Sequence, residues 1–469
     1  MVFWETFLFP YLGWIIGSIF AVFILSHMLH QRRPPASTVA WLLAIVLVPY
    51  IGIPLYILFG GRKIRQMAKK KERILLGKFA ELPSISAKPA DRFLRSYGLP
   101  GATSNNQIQF HTDGQQSYQA LIELIDRAQY SIHLAIFILR LDKVGKDLLE
   151  RLEKKAKQGL DVRLLLDSFG CRHVAWRSLK PFLDAGGKVA YFMPLLFRSI
   201  RAYLKFPGNA HLRNHRKLVV GDGMEVWAGG ANFTEEYMGG RPSSKRWKDL
   251  TFTIQGEGAR VYQEIFRKDW NFASVDQLSK PIEPKRTVKP GQEILQIIPS
   301  GPDIPEDPFY TTILMASYTA TERIWILSPY FIPDEGLMQA WTVAIHRGVD
   351  VRVIVPKKSN HWVADVARGS FLRDIQKAGG TVLLHHGVMM HAKALIIDQE
   401  LAVAGSANMD PRSLFFNYEA VCFLYSQAGI SGVEAYIASL IKYCKVGVRR
   451  VSKIREFGAG IIRLFAPLL

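Results

Sequence analysis

The chain is 469 residues long, 49% apolar and 21% charged, a size and balance that exclude both a single small binding module and a globally disordered protein. It carries 60 Lys and Arg against 40 Asp and Glu, a formal charge of +20, which disfavours a cationic partner and leaves nucleic acid and acidic lipid open. Cys171, Cys422 and Cys444 lie far apart with no CxxC pair, so neither a disulfide framework nor a cysteine-built zinc site is indicated, and a reducing compartment fits.

From the amino terminus, Phe7–Ser26 and Thr38–Gly61 contain no charged side chain, and each is long enough to cross a hydrocarbon core of about 30 Å. Residues 1–61 are therefore expected to form a transmembrane hairpin. Glu5 and the lack of a basic leader segment argue against a cleaved signal peptide. Pro49 and Pro54 remove backbone donors from the second run, which is either a kinked span or a re-entrant one. Only Arg32 and Arg33 lie in the connector, whereas Arg62, Lys63, Arg65, Lys69, Lys70, Lys71 and Arg73 follow the second run. This asymmetry places the downstream chain in the cytoplasm, with residues 62–104 as a basic membrane-proximal linker.

Two stretches of the soluble part repeat in order and detail. Ser131–Phe137, a helical run Lys146–Gln158, Gly159–Arg163 and Ala185–Val189 are matched by Arg323–Tyr330, Gly336–Arg347, Gly348–Arg352 and Ala378–Val382. Short apolar strands alternate with amphipathic helices, the pattern of an α/β unit with buried parallel strands. Two α/β lobes are expected, 105–278 and 293–443, joined by a Pro- and Lys-rich linker at 279–292. The first lobe carries extra chain at Met193–Ala210, either a surface loop or a lipid-facing entrance. Residues 444–469 mix basic and apolar positions at helical spacing, which fits an amphipathic tail lying on a membrane or packed on the body.

Each lobe holds one copy of a motif: His215-x-Lys217, Asp222 and Gly229-Gly230-Ala231-Asn232, then His391-x-Lys393, Asp398 and Gly405-Ser406-Ala407-Asn408. The residues after each His have strand character, so alternation puts His and Lys on one face, and a turn at Asp222 or Asp398 returns the Gly-rich Asn segment beside it. An imidazole serves as nucleophile or proton donor near neutral pH, and an ammonium offsets charge on nonbridging oxygens, which together suit a phosphodiester. One lobe supplies half of that set. If the lobes pack about a pseudo-twofold axis, one neutral His attacks phosphorus while the other, protonated, supports the leaving oxygen, and no metal is needed. Zinc is disfavoured by the Lys two residues from each His. For Asp222 and Asp398 a catalytic and a purely turn-forming role stand side by side.

At these residues the sequence resembles the phospholipase D superfamily, whose hallmark is a duplicated His-x-Lys-x4-Asp motif, and more narrowly the bacterial cardiolipin synthases. The narrower likeness rests on Arg32-Arg33-Pro34-Pro35, Trp247-Lys248-Asp249, Ser328–Pro333 and Gly405–Ser413. The resemblance implies two phospholipase D-like lobes related by pseudo-twofold symmetry, in a multi-pass protein of the cell inner membrane. It implies transfer of a phosphatidyl group from one phosphatidylglycerol to another, releasing glycerol and giving cardiolipin through a phosphatidyl-histidine intermediate, with no cofactor. In these terms His215 is the nucleophile and His391 the acid and later base, an order open to reversal. Lys217, Lys393, Asn232 and Asn408 surround the phosphate, Asp222 and Asp398 complete the motifs, and Ser406 offers a hydroxyl where the first copy has Gly230. The orienting carboxylates are Glu419 for His215 and Asp249 for His391.

Phosphatidylglycerol and cardiolipin are thus the expected partners, and nucleic acid is not. A hydrolytic phospholipase D, a membrane-tethered nuclease and an idle scaffold are the competing readings. Phosphatidylethanolamine as an alternative second lipid, and the oligomeric state, are open at the level of sequence.

Overall fold

The computed structural model describes residues 22, 26, 35–48, 52, 53, 56, 88–194, 212–278, 291–449 and 451–452. Nearly all of the first charge-free run and of the Met193–Ala210 insertion, together with residues 62–87, the linker from 279 to 290 and the tail beyond 452, lie outside the described residues. The chain divides into two units, Met1–Ile64 with Phe206–His211, and Arg65–Lys205 with Leu212–Leu469.

In the first unit Pro35–Leu47 is a helix of 13 residues, about 20 Å long at the usual rise and so shorter than a bilayer core. Among the described residues no helix is long and apolar enough to cross a membrane. The second charge-free run is not a straight rod. Trp41 and Tyr56 would stand about 22 Å apart along one helix, yet their rings meet edge to face at 5.6 Å. A Cβ on Gly52 would lie 2.4 Å from the Ala44 carbonyl oxygen, so the missing side chain is what lets the returning backbone approach.

The second unit is built on β1 (Thr103–His111), β2 (Ser131–Ile136), β3 (Asp161–Asp167), β4 (Lys188–Phe192), β5 (Leu218–Gly221), β6 (Glu225–Gly229) and β7 (Thr251–Gln255), followed by β8 (Glu293–Ser300), β9 (Arg323–Leu327), β10 (Asp350–Pro356), β11 (Thr381–His385), β12 (Ala394–Ile397), β13 (Leu401–Gly405), β14 (Glu419–Leu424) and β15 (Cys444–Val446). The first lobe runs in the order β1-β7-β6-β5-β2-β3-β4, and the second in the order β8-β14-β13-β12-β9-β10-β11, so each strand has a counterpart seven later. β1 pairs antiparallel with β8, which joins the halves into one 15-stranded sheet. Within each half the expected parallel pairing is confined to β2-β3-β4 and β9-β10-β11, and the remaining pairs are antiparallel. The sheet is mixed because β5–β6 and β12–β13 are tight hairpins, which can only reverse the chain.

Strand alternation sorts the two faces. Ile132, Leu134 and Ile136 share a core with Leu121, Leu148 and Leu179 from the helices Gly114–Arg127, Lys143–Lys157 and Trp176–Asp184. His133, pointing the other way, stacks on Phe266 at 4.8 Å and meets Gln263 Oε1 at 3.0 Å, both from the helix Glu257–Ala273. Asp113 and Asp142 cap two of these helices by accepting backbone N–H bonds.

Two expected boundaries shift. The helix Pro89–Ser96, placed in the linker by its basic flanks, inserts Ala90 and Leu94 into the core of the second lobe with Leu99 and Ala102; a fully buried Leu contributes roughly 2 kcal/mol. Cys444–Val446, placed in the tail, pairs antiparallel with β11 as an edge strand.

Candidate active site

The site is assembled at the seam between the halves. The chain entering β5 and the chain entering β14 form a short parallel bridge, in which the His215 amide donates to Tyr418 O at 2.9 Å and the Tyr418 amide to Arg213 O at 2.9 Å. The counterpart bridge has the His391 amide donating to Lys248 O at 2.7 Å and the Lys248 amide to Met389 O at 2.8 Å. In both bridges the residue after the partner is acidic, Glu419 after Tyr418 and Asp249 after Lys248, so each imidazole meets a carboxylate of the opposite half.

His215 Nδ1 lies 2.8 and 2.9 Å from the two oxygens of Glu419, and His391 Nδ1 lies 2.8 Å from Asp249 Oδ2. All four side chains are buried. An Nδ1–H donated to a carboxylate leaves the lone pair on Nε2, the atom suited to attack or to proton transfer. The Nδ1 atom of His391 has a second neighbour, the Lys393 ammonium at 2.6 Å.

Lys217 donates to the His215 carbonyl at 2.6 Å and lies 4.8 Å from the centre of the Phe137 ring. Lys393 donates to the His391 carbonyl. Burial is the main cause that pushes Lys217 down to about 7 and Lys393 down to about 8, against the pull of Glu419 and Asp249. Each ammonium feels the carboxylate of the other half as well as its own, and Lys217 also feels Lys393, which places the two lysines around one space. Burial likewise pushes His215 down to about 4 and His391 to about 3, against the upward pull of Glu419 and Asp249. Burial pushes the two carboxyl groups up, but the facing imidazoles and lysines prevail and hold both below the usual range. In the unliganded protein burial thus favours neutral imidazoles and ionised carboxylates, beside two lysines that an arriving anion would keep charged.

Asn232 and Asn408 occupy matching places. Asn232 Nδ2 donates to Tyr237 Oη at 3.0 Å, and the Oδ1 atoms of both asparagines are buried with no hydrogen-bond partner. A half-turn of such an amide would present N–H donors to an anion in place of the unpartnered oxygen. Ser406 is placed differently from the substrate contact expected of it. Its hydroxyl donates to Glu419 Oε2 at 2.5 Å and accepts the Ala420 amide at 3.1 Å, so it acts on the carboxylate behind His215. At the matching position a Cβ on Gly230 would lie 2.2 Å from Asp249 Oδ1; the shorter acid leaves no room for a side chain there.

Asp222 and Asp398 are not brought to the imidazoles. Asp222 follows Lys217 by five positions across a strand of 4 residues, about 17 Å. Asp222 accepts the amides of Gln129, Tyr130 and Ser131 at 3.0, 2.8 and 2.9 Å, and Asp398 those of Thr321, Glu322 and Arg323 at 2.9, 2.8 and 2.9 Å. Both adopt a positive φ, 52° and 51°, which Asp tolerates better than most residues. They are turn clamps that lock each hairpin to the neighbouring strand β2 or β9.

Several residues around the site have no role assigned to them in the sequence analysis, although Phe137, Trp247 and Tyr330 lie in stretches it quotes. Phe137 touches the His215 ring at 4.5 Å. Tyr237, Trp247 and Tyr330 surround His391 at 5.1, 5.7 and 6.1 Å. Arg216, fully buried, pairs with Asp269 and donates to Glu419 O at 2.9 Å and Ser300 O at 3.2 Å, so the first half holds the backbone of the carboxylate it uses. Its counterpart in the second motif is Ala392. The signal available for Arg216 was that asymmetry between the two copies; the aromatic contacts arise across the fold and leave no local pattern. Among the described residues no group of three or more His, Cys, Asp or Glu is placed to hold a metal ion.

A family model described as cardiolipin synthase, PLD-like domain, matches residues 121–270 and 315–441, and one described as phospholipase D-nuclease N-terminal matches residues 18–61. Cardiolipin synthase 1 of Bacillus anthracis is 31% identical over 97% of this chain and 92% of its own length. The major cardiolipin synthase of Bacillus subtilis is 32% identical over 88% of each chain. The crystal structure of phosphatidylserine synthase from Haemophilus influenzae shares the fold, with a TM-score of 0.61 at 16% identity over 81% of this chain and 98% of that one.

Proposed function

The chain belongs to the bacterial cardiolipin synthases of the phospholipase D superfamily and is a phosphatidyltransferase acting on phospholipid, and we propose that it joins two phosphatidylglycerols through a covalent intermediate on His215. His215 Nε2 attacks phosphorus of the first lipid. The bond from phosphorus to the headgroup glycerol breaks, and that oxygen takes a proton from His391. His391, now neutral, accepts the hydroxyl proton of a second phosphatidylglycerol as its oxygen attacks phosphorus. The P–N bond breaks, returning His215 and giving cardiolipin.

Lys217 and Lys393 hold the nonbridging oxygens, and the free amide ends of Asn232 and Asn408 complete the contact. Glu419 and Asp249 fix each imidazole and stabilise its charged form. The proton on His391 arrives with the substrate, because the phosphodiester adds the negative charge that offsets burial. The observation that carries this reading is the crossed pairing of each imidazole with a carboxylate of the other half. It is supported further by the burial of all four groups, which restricts the water that would divert the intermediate to phosphatidic acid.

In the same proposal residues 1–61 anchor the chain in the inner membrane, the second run as a re-entrant hairpin, with the catalytic lobes on the cytoplasmic side. Phosphatidylglycerol vesicles containing the purified full chain should yield cardiolipin and glycerol in equal amounts by mass spectrometry. Phosphatidic acid as the main product would overturn the transfer step.

A further inference from the structure

Outside the site, large aromatic side chains are exposed at matching places in the two halves. Trp176 and Trp362 are each the first residue of the helix that follows β3 or β10. They are 59% and 71% exposed, and Phe169 in the same loop as Trp176 is 49% exposed. An apolar ring left in water at one position is ordinary, but the same residue left exposed at both copies of a duplicated position asks for a shared cause.

The charge pattern names the partner. Residues 168–177 contain Arg172 and Arg177, and residues 357–362 contain Lys357 and Lys358, with no Asp or Glu in either segment. All four basic side chains are exposed. Tryptophan interleaved with exposed Lys and Arg is the composition of a surface that settles into an anionic headgroup layer.

Both segments lie close to the site. Cys171 Sγ lies 3.4 Å from the Phe137 carbonyl, and Phe137 touches the His215 ring. Tyr330 donates to Asn360 Oδ1 at 2.6 Å, and its ring faces both His361 and His391. Each loop is therefore one side chain removed from one imidazole. We propose that the loops carrying Trp176 and Trp362 form a two-sided rim that docks on an anionic phospholipid bilayer, with the indoles at headgroup depth and the pocket opening between them. The inference deepens the phospholipid reading given above and rests on it: a lipid then rises from the layer into the pocket with its chains still in the membrane.

The test uses the full chain in vesicles of phosphatidylglycerol and phosphatidylcholine whose acyl chains are brominated near the ester end, with unbrominated vesicles as reference. Bromine quenches only indoles that reach it. Part of the tryptophan emission should be quenched, and W176F/W362F should measurably reduce that part while circular dichroism stays native, the remainder coming from Trp4, Trp14 and Trp41 of the proposed anchor. K357E/K358E should also reduce it, and added salt should weaken it in the unsubstituted protein. Equal quenching in the unsubstituted protein and in W176F/W362F would overturn the rim, as would shielding of these indoles from acrylamide by an oligonucleotide but not by vesicles. Product analysis on the same vesicles separates the two ideas, because quenching without cardiolipin supports the rim and removes the proposed chemistry.

Discussion

His215 Nδ1 and Glu419 Oε1 lie 2.8 Å apart although 204 positions separate the two residues in the chain. The second imidazole has the reciprocal arrangement, His391 with Asp249 from the first half. Neither half therefore holds a complete imidazole–carboxylate pair, and duplication of the motif alone does not make a site: the two copies must close on each other.

Replacing Glu419 by Gln keeps the shape of the side chain but removes the charge that, in the proposed mechanism, stabilises a protonated or phosphorylated His215. Turnover is expected to fall roughly 10²–10⁴-fold, by analogy with carboxylate loss in hydrolase triads. Thermal unfolding should show the fold retained. Normal turnover in E419Q would show that the pairing carries no catalytic weight.

The unlike neighbours of the two carboxylates give a paired test. Ser406→Ala removes one hydrogen bond from Glu419 and should slow turnover by about tenfold, the value of a charge-assisted bond of roughly 1.5 kcal/mol. Gly230→Ala puts a Cβ where Asp249 Oδ1 now lies, so it should displace Asp249 from His391 and cost far more. Comparable activities in the two variants would contradict this asymmetry.

The lysines predict the alkaline limb of the pH profile. Burial lowers Lys217 to about 7 and Lys393 to about 8 in the unliganded protein, and an anionic substrate prefers both charged. The kcat/KM for phosphatidylglycerol should therefore fall as pH rises through 7–8, since this ratio reports the free enzyme. Lys217→Arg, which stays charged, should move that limb upward in whatever activity remains. The stability of the unliganded protein should change in the opposite sense. Between about pH 7 and the ordinary lysine range the unfolded chain binds more protons than the folded one, so stability rises with pH across that window.

Asp398 predicts a stability effect in place of a chemical one. Although burial pushes its carboxyl up, the amides of Arg323, Glu322 and Thr321 hold it below the usual range. Its contribution is present above the unfolded pKa and is lost as pH falls through the folded value. Asp398→Asn should lower stability by about 1–3 kcal/mol while turnover per folded molecule at low temperature stays within about twofold. Loss of turnover without loss of stability would return Asp398 to the chemistry.

Much of this was legible in the chain because it is local and repeated. The hairpins at Asp222 and Asp398 follow from short strand runs closed by a turn residue, and the duplicated order of strands and helices follows from apolar periodicity. Other features depend on partners distant in sequence. Ala90, Leu94 and Leu99 sit among basic residues in a segment that reads as a linker, and nothing nearby shows that the second lobe supplies their core. Tyr237 and Trp247 reach His391 only because the seam folds them across. The aspartates illustrate a third case: their place in a recurring motif left a catalytic and a turn-forming role side by side, and their carboxylates hold backbone amides at the far end of the strand.

The most direct test of the transfer mechanism is a brief pulse of phosphatidylglycerol followed by an alkaline quench, which preserves phosphohistidine, and peptide mass spectrometry. The account predicts a phosphatidyl group on the peptide containing His215, and its build-up in His391→Ala if the first transfer survives there. A phosphatidyl group on His391, or turnover with neither histidine modified, would contradict it.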